Sequence, residues 1–303
     1  MAIPFTIGLA KLSGSVIRKL RLGSGSTWPG EIALKLQPRF VADILAKNPN
    51  LKVVCVVGTN GKTTTSKLVA HVLGGLGQRV ITNDTGANLL NGVAGALLSS
   101  ANPKGVIAAD VAVLELDENA LPQLLKQISP QAILALNLFR DQLDRYGEVR
   151  TIAQGWETAL AQHPATKLYV NAHDPLLVSV GQSLAQAGST VTFFGLPKDE
   201  ITRSGVGSVG SEADSQFCPI CGERLSYSAV AYSHIGIFSC PTGDLETPKQ
   251  VVEPGKLTLP LVGLFNRYNL AAAASLLQGE FSFDAHNIQP VLDSFTASFG
   301  RQE

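Results

Sequence analysis

The chain has 303 residues, enough for one large domain or two ordinary ones around a sizeable apolar core. Its 24 basic residues balance its 24 acidic residues, so bulk charge gives no attraction to a nucleic-acid partner. Apolar residues make up 45% of the chain, which excludes a disordered protein, and the sequence has no apolar run of transmembrane length.

The N-terminal region predicts helices without a catalytic motif. Residues 1–26 read as a helix followed by a Gly/Ser linker, with Arg18, Lys19 and Arg21 on a solvated side. A plain N-terminal helix is favoured over a peripheral membrane contact. The start lacks a charged region ahead of its apolar part, so it does not predict a secretory signal. We predict an N-terminal helical segment over residues 1–48.

The sequence VVCVVGTNGKTTT, at 53–65, predicts a phosphate site. Residues 53–57 are apolar and predict a strand buried on both faces, while 62–73 has apolar residues at helical spacing. Glycines let backbone N–H groups close around phosphate oxygens, and a helix N-terminus favours negative charge. The predicted nucleotide-binding residues are Gly58, Thr59, Asn60, Gly61, Lys62, Thr63 and Thr64.

Within this loop, Lys62 and Thr63 have the side chains that the chemistry needs. Lys62 would reach the terminal phosphates, and the Thr63 hydroxyl would bind Mg²⁺. The usual P-loop has a glycine where Val56 stands, so this is a shortened variant. The alternative, a strand-to-helix turn with a surface lysine, is disfavoured because Gly-Lys-Thr falls at the strand–helix junction.

After the loop, strands and helices alternate as far as residue 194. Strands are predicted at 79–82, 111–116, 132–138, 167–171 and 191–194, and helices at 89–98, 121–127, 151–162 and 175–187. Strands without polar alternation indicate an α/β fold with a mostly parallel sheet and helices on both faces. Ligands of such sheets collect at the carboxyl ends of the strands, where Lys62, Glu115 and Asn137 fall.

Two stretches at strand ends are candidates for further site residues. Glu115 ends the run VAVLEL, where a carboxylate suits Mg²⁺, although a solvated strand-end acid is an equal alternative. The stretch NLFRDQLDRYGE, at 137–148, has many charged groups, with a capped helix N-terminus as the alternative.

Residues 197–255 interrupt the α/β rhythm and predict an inserted, ribbon-like subdomain. The pattern resumes with helices at 266–278 and 286–299. We therefore predict an ATP-binding domain over 49–196 and 256–299. Cys55 falls in the first predicted strand, so the cysteines fit a reducing compartment rather than a disulfide framework.

The other three cysteines, Cys218, Cys221 and Cys240, have the spacing of a zinc ribbon that lacks its fourth cysteine. Gly243 stands at the fourth position. His234 or Asp244 would have to complete a zinc site; the alternative is a knuckle that has lost its metal. We predict weak or absent zinc and a nucleotide-binding core that does not depend on it.

The loop GTNGKTTT resembles the ATP loop of the Mur ligases and folylpolyglutamate synthetases, which activate a carboxylate as an acyl phosphate for attack by an amine. From about residue 26 onward, the chain resembles one branch of that family, the MurT family of Mur-ligase-like subunits. The resemblance rests on STWPGEIALKLQP, TGANLLNG, NLFRDQLDRYGEV, the CPxCGxxL ribbon start, GLFNRYNLAAAA and the closing GRQE.

The resemblance implies roles beyond the loop itself. Glu115 would hold Mg²⁺, Asn266 and Asn269 would meet the adenine, and Arg301 would reach the phosphates of ATP. In the family, ATP phosphorylates the α-carboxylate of D-glutamate in the lipid II stem peptide, and ammonia from the glutaminase partner GatD forms D-isoglutamine. The implied location is cytoplasmic, at the inner membrane face through lipid II.

The sequence departs from the wider family at three places. Mur ligases have histidine where Gln142 stands, although MurT-like proteins share the glutamine. They also use a carbamylated lysine shortly afterwards, and no lysine occurs between Lys126 and Lys167. The family's main catalytic residue and its GatD contacts lie in a C-terminal domain, which would begin at 300–303, so no catalytic residue is assigned. We expect residues 1–303 alone to bind ATP without amidating lipid II.

Two other functions remain open on the sequence. One is a Mur or folylpolyglutamate-type amino-acid ligase, which the missing lysine and the ribbon disfavour. The other is a nucleotide-binding scaffold without chemistry.

Overall fold

A computed structural model of the chain describes residues 3–19, 28–83, 87–140, 148–210 and 213–296. Its centre is a six-stranded sheet in which every neighbouring pair is parallel, in the order β2-β3-β1-β4-β5-β6. The strands are β1 (Lys52–Val57), β2 (Val80–Thr82), β3 (Val111–Leu116), β4 (Ala132–Ala135), β5 (Lys167–Asn171) and β6 (Val191–Phe194). The predicted parallel α/β sheet is confirmed.

Helices cover both faces of this sheet, because its central strands are apolar on both sides. All six residues of β3 are buried, as are the last five of β1. One face packs against α4 (Lys62–Gly75), α10 (Leu264–Phe281) and α11 (Ala285–Leu292). The other face packs against α5 (Leu90–Ser100), α6 (Leu121–Leu125), α7 (Glu148–Leu160) and α8 (Pro175–Gln186).

The N-terminal helices extend the second of these faces. They are α1 (Ile3–Lys19), α2 (Trp28–Leu36) and α3 (Phe40–Ala46). Buried residues of all three, including Ile7, Ala33 and Phe40, belong to the same apolar cluster as α5. Among the helices of the described ranges, none is both long enough and apolar enough to cross a bilayer.

Two predicted elements, β4 and α11, end three or more residues before the end that the sequence pattern indicated. β4 ends at Ala135 rather than at residue 138, because the chain turns there towards the loop after β1 and the Asn137 side chain bonds to that loop. α11 ends at Leu292, whereas the prediction ran to 299; residues 297–299 lie outside the described part of the chain.

The inserted region contains a short helix and a hairpin. They are α9 (Lys198–Ser204) and the antiparallel pair β7 (Ser226–Tyr232) and β8 (Ile235–Ser239). Ala229, Ala231 and Ile235 of the hairpin pack in the same apolar cluster as α4 and α10. The hairpin therefore shares the core of the main sheet, while the cysteine end packs in a small separate cluster that includes Val178 of α8.

Candidate nucleotide-binding site

Three loops meet at the carboxyl edge of the sheet, where the strand order reverses around β1. They follow β1, β3 and β4, which are neighbours in the sheet. In a doubly wound sheet this switch point forms a crevice for ligands. Lys62, Glu115 and Asn137 all lie at this edge, as their positions after apolar strand runs predicted.

Asn137 holds the glycine loop in place. Its side-chain oxygen accepts a hydrogen bond from Asn60 N at 2.9 Å, and its side-chain nitrogen donates to Asn60 O at 3.0 Å. Its backbone oxygen accepts from Thr59 N at 3.0 Å. The two-way amide bond fixes the backbone of the loop from the neighbouring strand, which sequence spacing alone did not reveal.

Gly61 lies where only a glycine fits. Its φ of +84° is left-handed, and a Cβ there would lie 2.4 Å from Asn269 Oδ1 on α10. The space that this Cβ would fill lies at the N-terminus of α4, where backbone N–H groups attract anions. Asn269, one of the two residues assigned to the adenine by resemblance, therefore lies beside the loop, and it donates to the other, Asn266, at 3.3 Å.

Lys62 folds back over the loop in this structure. Its Nζ donates to Gly58 O at 2.5 Å and to Thr59 O at 2.9 Å, and it lies 3.8 Å from a Glu118 carboxylate oxygen. Its side chain is only 11% exposed, so the ammonium is covered by the loop and Glu118 rather than free on the surface. This burial argues against the surface-lysine alternative. Thr64, in the same first turn of α4, is half-buried.

Glu118 is a candidate site residue that the sequence did not single out. Besides its approach to Lys62, its carboxylate accepts from Thr59 Oγ1 at 3.3 Å. Its backbone oxygen accepts from Trp156 Nε1 at 2.7 Å, which ties the segment after β3 to α7. The sequence offered one weak signal for Glu118: it is an acidic residue three positions after Glu115, with Asp117 beside it.

Thr63 and Glu115 form the pair expected of a magnesium site. Thr63 Oγ1 donates to Glu115 Oε1 at 3.0 Å, and Glu115 is buried. A hydroxyl and a carboxylate are hard oxygen ligands of the kind that Mg²⁺ takes beside nucleotide phosphates. A buried carboxylate whose side chain bonds to one hydroxyl has oxygen lone pairs left for a cation, so the residues fit the ion.

Asn83 positions the Glu115 backbone and was missed from the sequence. Its side chain accepts from Glu115 N at 2.7 Å and donates to Glu115 O at 2.7 Å. It also donates to Ala87 O at 2.7 Å. Asn83 follows a strand of three residues, and nothing in the sequence marked it above the neighbouring polar residues.

Some predicted site residues lie outside the described part of the chain. They are Arg301 and, in the 137–148 stretch, Asp141, Gln142, Asp144 and Arg145. The role of Arg301 stays a prediction from the resemblance, and the charged stretch stays a prediction from the sequence pattern.

The three cysteines of the inserted region do come together. The thiols of Cys218, Cys221 and Cys240 lie within 4.8 Å of one another, and Cys221 Sγ is 3.4 Å from Cys240 Sγ. A hydrogen bond with Thr242 is the largest effect that lowers the pKa of the Cys240 thiol to about 7. A thiolate is the form that binds metal, so the cluster is chemically suited to zinc.

The fourth position of this cluster belongs to Thr242 rather than to Gly243. Gly243 has a φ of +80°, close to the +82° of Gly222, which directly follows Cys221. Gly243 thus corresponds to Gly222, and the knuckle that begins at Cys240 is one residue shorter than the knuckle that begins at Cys218. Thr242 Oγ1 lies 2.9 Å from Cys240 Sγ and 3.3 Å from Cys221 Sγ.

His234 cannot complete this site, contrary to one of the two predicted options. It lies in the turn between β7 and β8, whereas Cys240 follows the other end of β8. Six residues of extended chain separate them by about 20 Å. Asp244 is close, since Thr242 Oγ1 donates to its carboxylate at 2.5 Å. A hydroxyl and a carboxylate in place of a thiolate support the prediction of weak zinc.

We predict that Thr242→Cys converts this cluster into a tight zinc site, because four thiolates close a tetrahedral structural site. Zinc should remain with the variant during treatment with a chelator that strips the unsubstituted protein. Metal analysis after dialysis measures this, with Thr202→Cys on α9 as the control for an added thiol. Zinc held equally well by the unsubstituted chain would show that Asp244 or another group already completes the site.

Comparison with known proteins finds similarity to the Mur ligase family. The family described as Mur ligase middle domain matches residues 56–277. The MurT subunit of lipid II isoglutaminyl synthase (glutamine-hydrolyzing) from Staphylococcus aureus strain COL is 31% identical over 98% of this chain and 67% of that protein. The same subunit from Streptococcus pneumoniae R6 is 29% identical over 100% of this chain and 68% of that protein.

Solved structures show the same fold at lower identity. A pseudomurein peptide ligase type C from Methanothermus fervidus matches 87% of this chain with a TM-score of 0.62 and 23% identity. MurF from Acinetobacter baumannii matches 90% with a TM-score of 0.58 and 18% identity. The chain spans about two thirds of the length of the MurT relatives and about half of these structures.

Proposed function

This chain belongs to the MurT family of Mur-ligase-like proteins, and on that premise we propose that it is the ATP-using ligase subunit of a lipid II isoglutaminyl synthase. The substrate acid is the α-carboxylate of D-glutamate in the stem peptide. The nitrogen comes as ammonia from a GatD-like glutaminase subunit. The reaction takes place at the cytoplasmic face of the membrane, where the lipid-linked substrate lies.

One observation supports the ATP-dependent step most strongly. The structure brings a largely covered lysine, a threonine–glutamate oxygen pair and a glycine-bounded helix N-terminus to one edge of the sheet. Lys62 would move its ammonium from the loop carbonyls to the phosphate oxygens. Thr63 and Glu115 would hold Mg²⁺, which supplies charge neutralisation on the phosphates.

The proposed chemistry has two steps. A carboxylate oxygen of the substrate attacks the γ-phosphorus of ATP, ADP leaves, and an acyl phosphate forms. Ammonia then attacks the acyl carbon, inorganic phosphate leaves, and the nitrogen loses a proton to give the amide. In this scheme the described residues orient the triphosphate for the first step.

The test uses the protein as its gene encodes it, together with a GatD-like glutaminase, lipid II, glutamine and Mg-ATP. The substrate has ¹⁸O in the α-carboxylate of its D-glutamate. We expect amidated lipid II, ADP and inorganic phosphate that contains ¹⁸O. Ammonium salt should replace glutamine and the glutaminase.

Three outcomes would contradict this function. The first is amidation without ATP, and the second is phosphate free of ¹⁸O. The third is addition of an amino acid in place of ammonia, which would instead support the amino-acid ligase alternative. ATP binding with no conversion of lipid II under any of these conditions would favour a scaffold.

A further inference from the structure

We propose that the inserted region positions the nucleotide loop, its hairpin acting through Phe139 and Asp214 acting through Arg140. The inference rests on the proposed ATP site at residues 58–64. It also predicts a more mobile loop in nucleotide-free variants, so the positioning role and the proposed function can fail separately.

The hairpin encloses the Phe139 ring. Tyr232 stacks on it with centroids 6.2 Å apart and planes 17° apart. On the hairpin turn, His234 contacts it with centroids 4.6 Å apart. His234 is fully buried, so the ring of Phe139 is held by a packed contact rather than by a surface one. Aromatic pairs at these separations are attractive beyond their buried area.

The segment before the hairpin fixes the next residue as well. Asp214 accepts a hydrogen bond from Arg140 N at 3.0 Å and another from the Arg140 guanidinium. The two side chains are 10% and 27% exposed, so solvent screens this ion pair little. A carboxylate that holds both the backbone and the side chain of one residue restrains its position strongly.

Residues 139 and 140 lie beyond the end of β4, which stops at Ala135. Phe139 donates its backbone N–H to Thr59 Oγ1 at 2.9 Å. Thr59 belongs to the phosphate loop, and Asn137, two residues before Phe139, bonds Asn60. The hairpin and Asp214 therefore provide the outer support for a segment that supports the loop directly.

The hairpin also reaches the opposite side of the loop. The Tyr232 ring meets the Tyr268 ring edge-on, with centroids 5.8 Å apart. Tyr268 precedes Asn269, whose side chain lies against Gly61. Tyr268 is itself held by His173, with its hydroxyl 2.6 Å from His173 Nδ1. Burial lowers the pKa of His173 to about 4, so the ring is neutral at pH 7 and can accept this bond.

Supports of this kind preorganise a binding site, and their loss lowers affinity without removing a ligand contact. Asp214→Ala should therefore weaken Mg-ATP binding about tenfold although Asp214 touches no part of the predicted nucleotide site. Titration calorimetry measures this. Asp199→Ala is the matched control in the same insertion, because its ion pair with Arg203 is exposed and should leave affinity unchanged. Asp214→Asn keeps an acceptor for Arg140 N, so its Mg-ATP affinity should lie between those of Asp214→Ala and Asp199→Ala.

A double-mutant cycle tests the route. Thr59→Val removes the hydroxyl that receives the Phe139 N–H. If Asp214 acts through that contact, Asp214→Ala should add little to the loss caused by Thr59→Val. If instead the fold losses in Mg-ATP affinity of the two variants multiply in the double variant, Asp214 does not act through the Thr59 contact.

Hydrogen exchange in the nucleotide-free protein separates positioning from function. The amides of 58–61 should exchange faster in Asp214→Ala than in the unsubstituted chain, while the amides of β1 and β3 should not. If Asp214→Ala fails to fold, Phe139→Leu serves instead, since it keeps an apolar side chain and removes the ring contacts. If neither the unsubstituted protein nor any variant binds ATP, but the loop amides of the variant still exchange faster, the proposed function is contradicted and the positioning role is supported. Unchanged exchange and unchanged affinity in folded variants would overturn the positioning role.

Discussion

Lys62→Ala is expected to abolish detectable Mg-ATP binding. The substitution removes a point charge that would contact two or three phosphate oxygens, and charge-assisted hydrogen bonds contribute roughly 1.5–3 kcal/mol each. Two such bonds amount to a loss of on the order of a hundredfold or more in affinity. Titration calorimetry with Mg-ATP gives the result directly. Lys62→Met should behave alike, because it keeps most of the side-chain length but not the charge.

Lys62 also bonds the loop in the free protein, so folding must be checked separately. Its Nζ donates to the carbonyls of Gly58 and Thr59. Circular dichroism and thermal unfolding should show an intact sheet in both variants. Lys35→Ala is the matched control, since Lys35 forms an exposed surface pair with Glu31 far along the chain from the loop. Nucleotide affinity unchanged in folded Lys62 variants would remove the basis for a phosphate site here.

Glu115→Gln is expected to weaken nucleotide binding about tenfold or more in Mg²⁺ and to change it little when the metal is removed by a chelator. The variant keeps the shape and an oxygen for the Thr63 hydroxyl, but it loses the negative charge that a divalent cation needs. Affinities measured with and without Mg²⁺ provide the comparison.

The neighbouring acid provides the control for this second experiment. Asp117 lies just beyond β3, and its carboxylate accepts from the backbone of Asn119 at 3.0 Å. Asp117→Asn should leave the magnesium dependence unchanged. If Glu115→Gln lowers affinity equally with and without the metal, Glu115 has a structural role only.

The sheet and the phosphate loop were predictable because their signals are local. Short apolar runs gave β1, β3 and β5 nearly to their ends, since buried parallel strands need apolar side chains on both faces. Gly61 and Lys62 were recognisable from the junction of a strand with a helix. The placement of Glu115 followed from the shared edge of a parallel sheet.

The supports of the site were not predictable because they join segments far apart in the chain. Asn83 bonds Glu115 across 32 positions, and Asn137 bonds Asn60 across 77. Polar residues after strands are common, and only the folded sheet shows which of them face each other. Glu118 was passed over for the same reason.

The inserted region shows how sequence distance misleads. His234 lies six positions before Cys240, which suggested proximity, yet an extended strand separates them. Thr242 was hidden by a one-residue shortening of the second knuckle, which only the left-handed φ of Gly243 reveals. The sequence predicted an inserted subdomain over 197–255 but not that buried side chains of its hairpin would pack in the main core.

The most direct test of the central claim is a crystal structure of the chain with a non-hydrolysable ATP analogue and Mn²⁺, which has an anomalous signal that locates the ion. We expect the anomalous peak beside Thr63 Oγ1 and the Glu115 carboxylate. We also expect the triphosphate over the loop at 58–64, with Lys62 Nζ moved onto its oxygens. An anomalous peak remote from Glu115, or a triphosphate bound away from the glycine loop, would contradict the account.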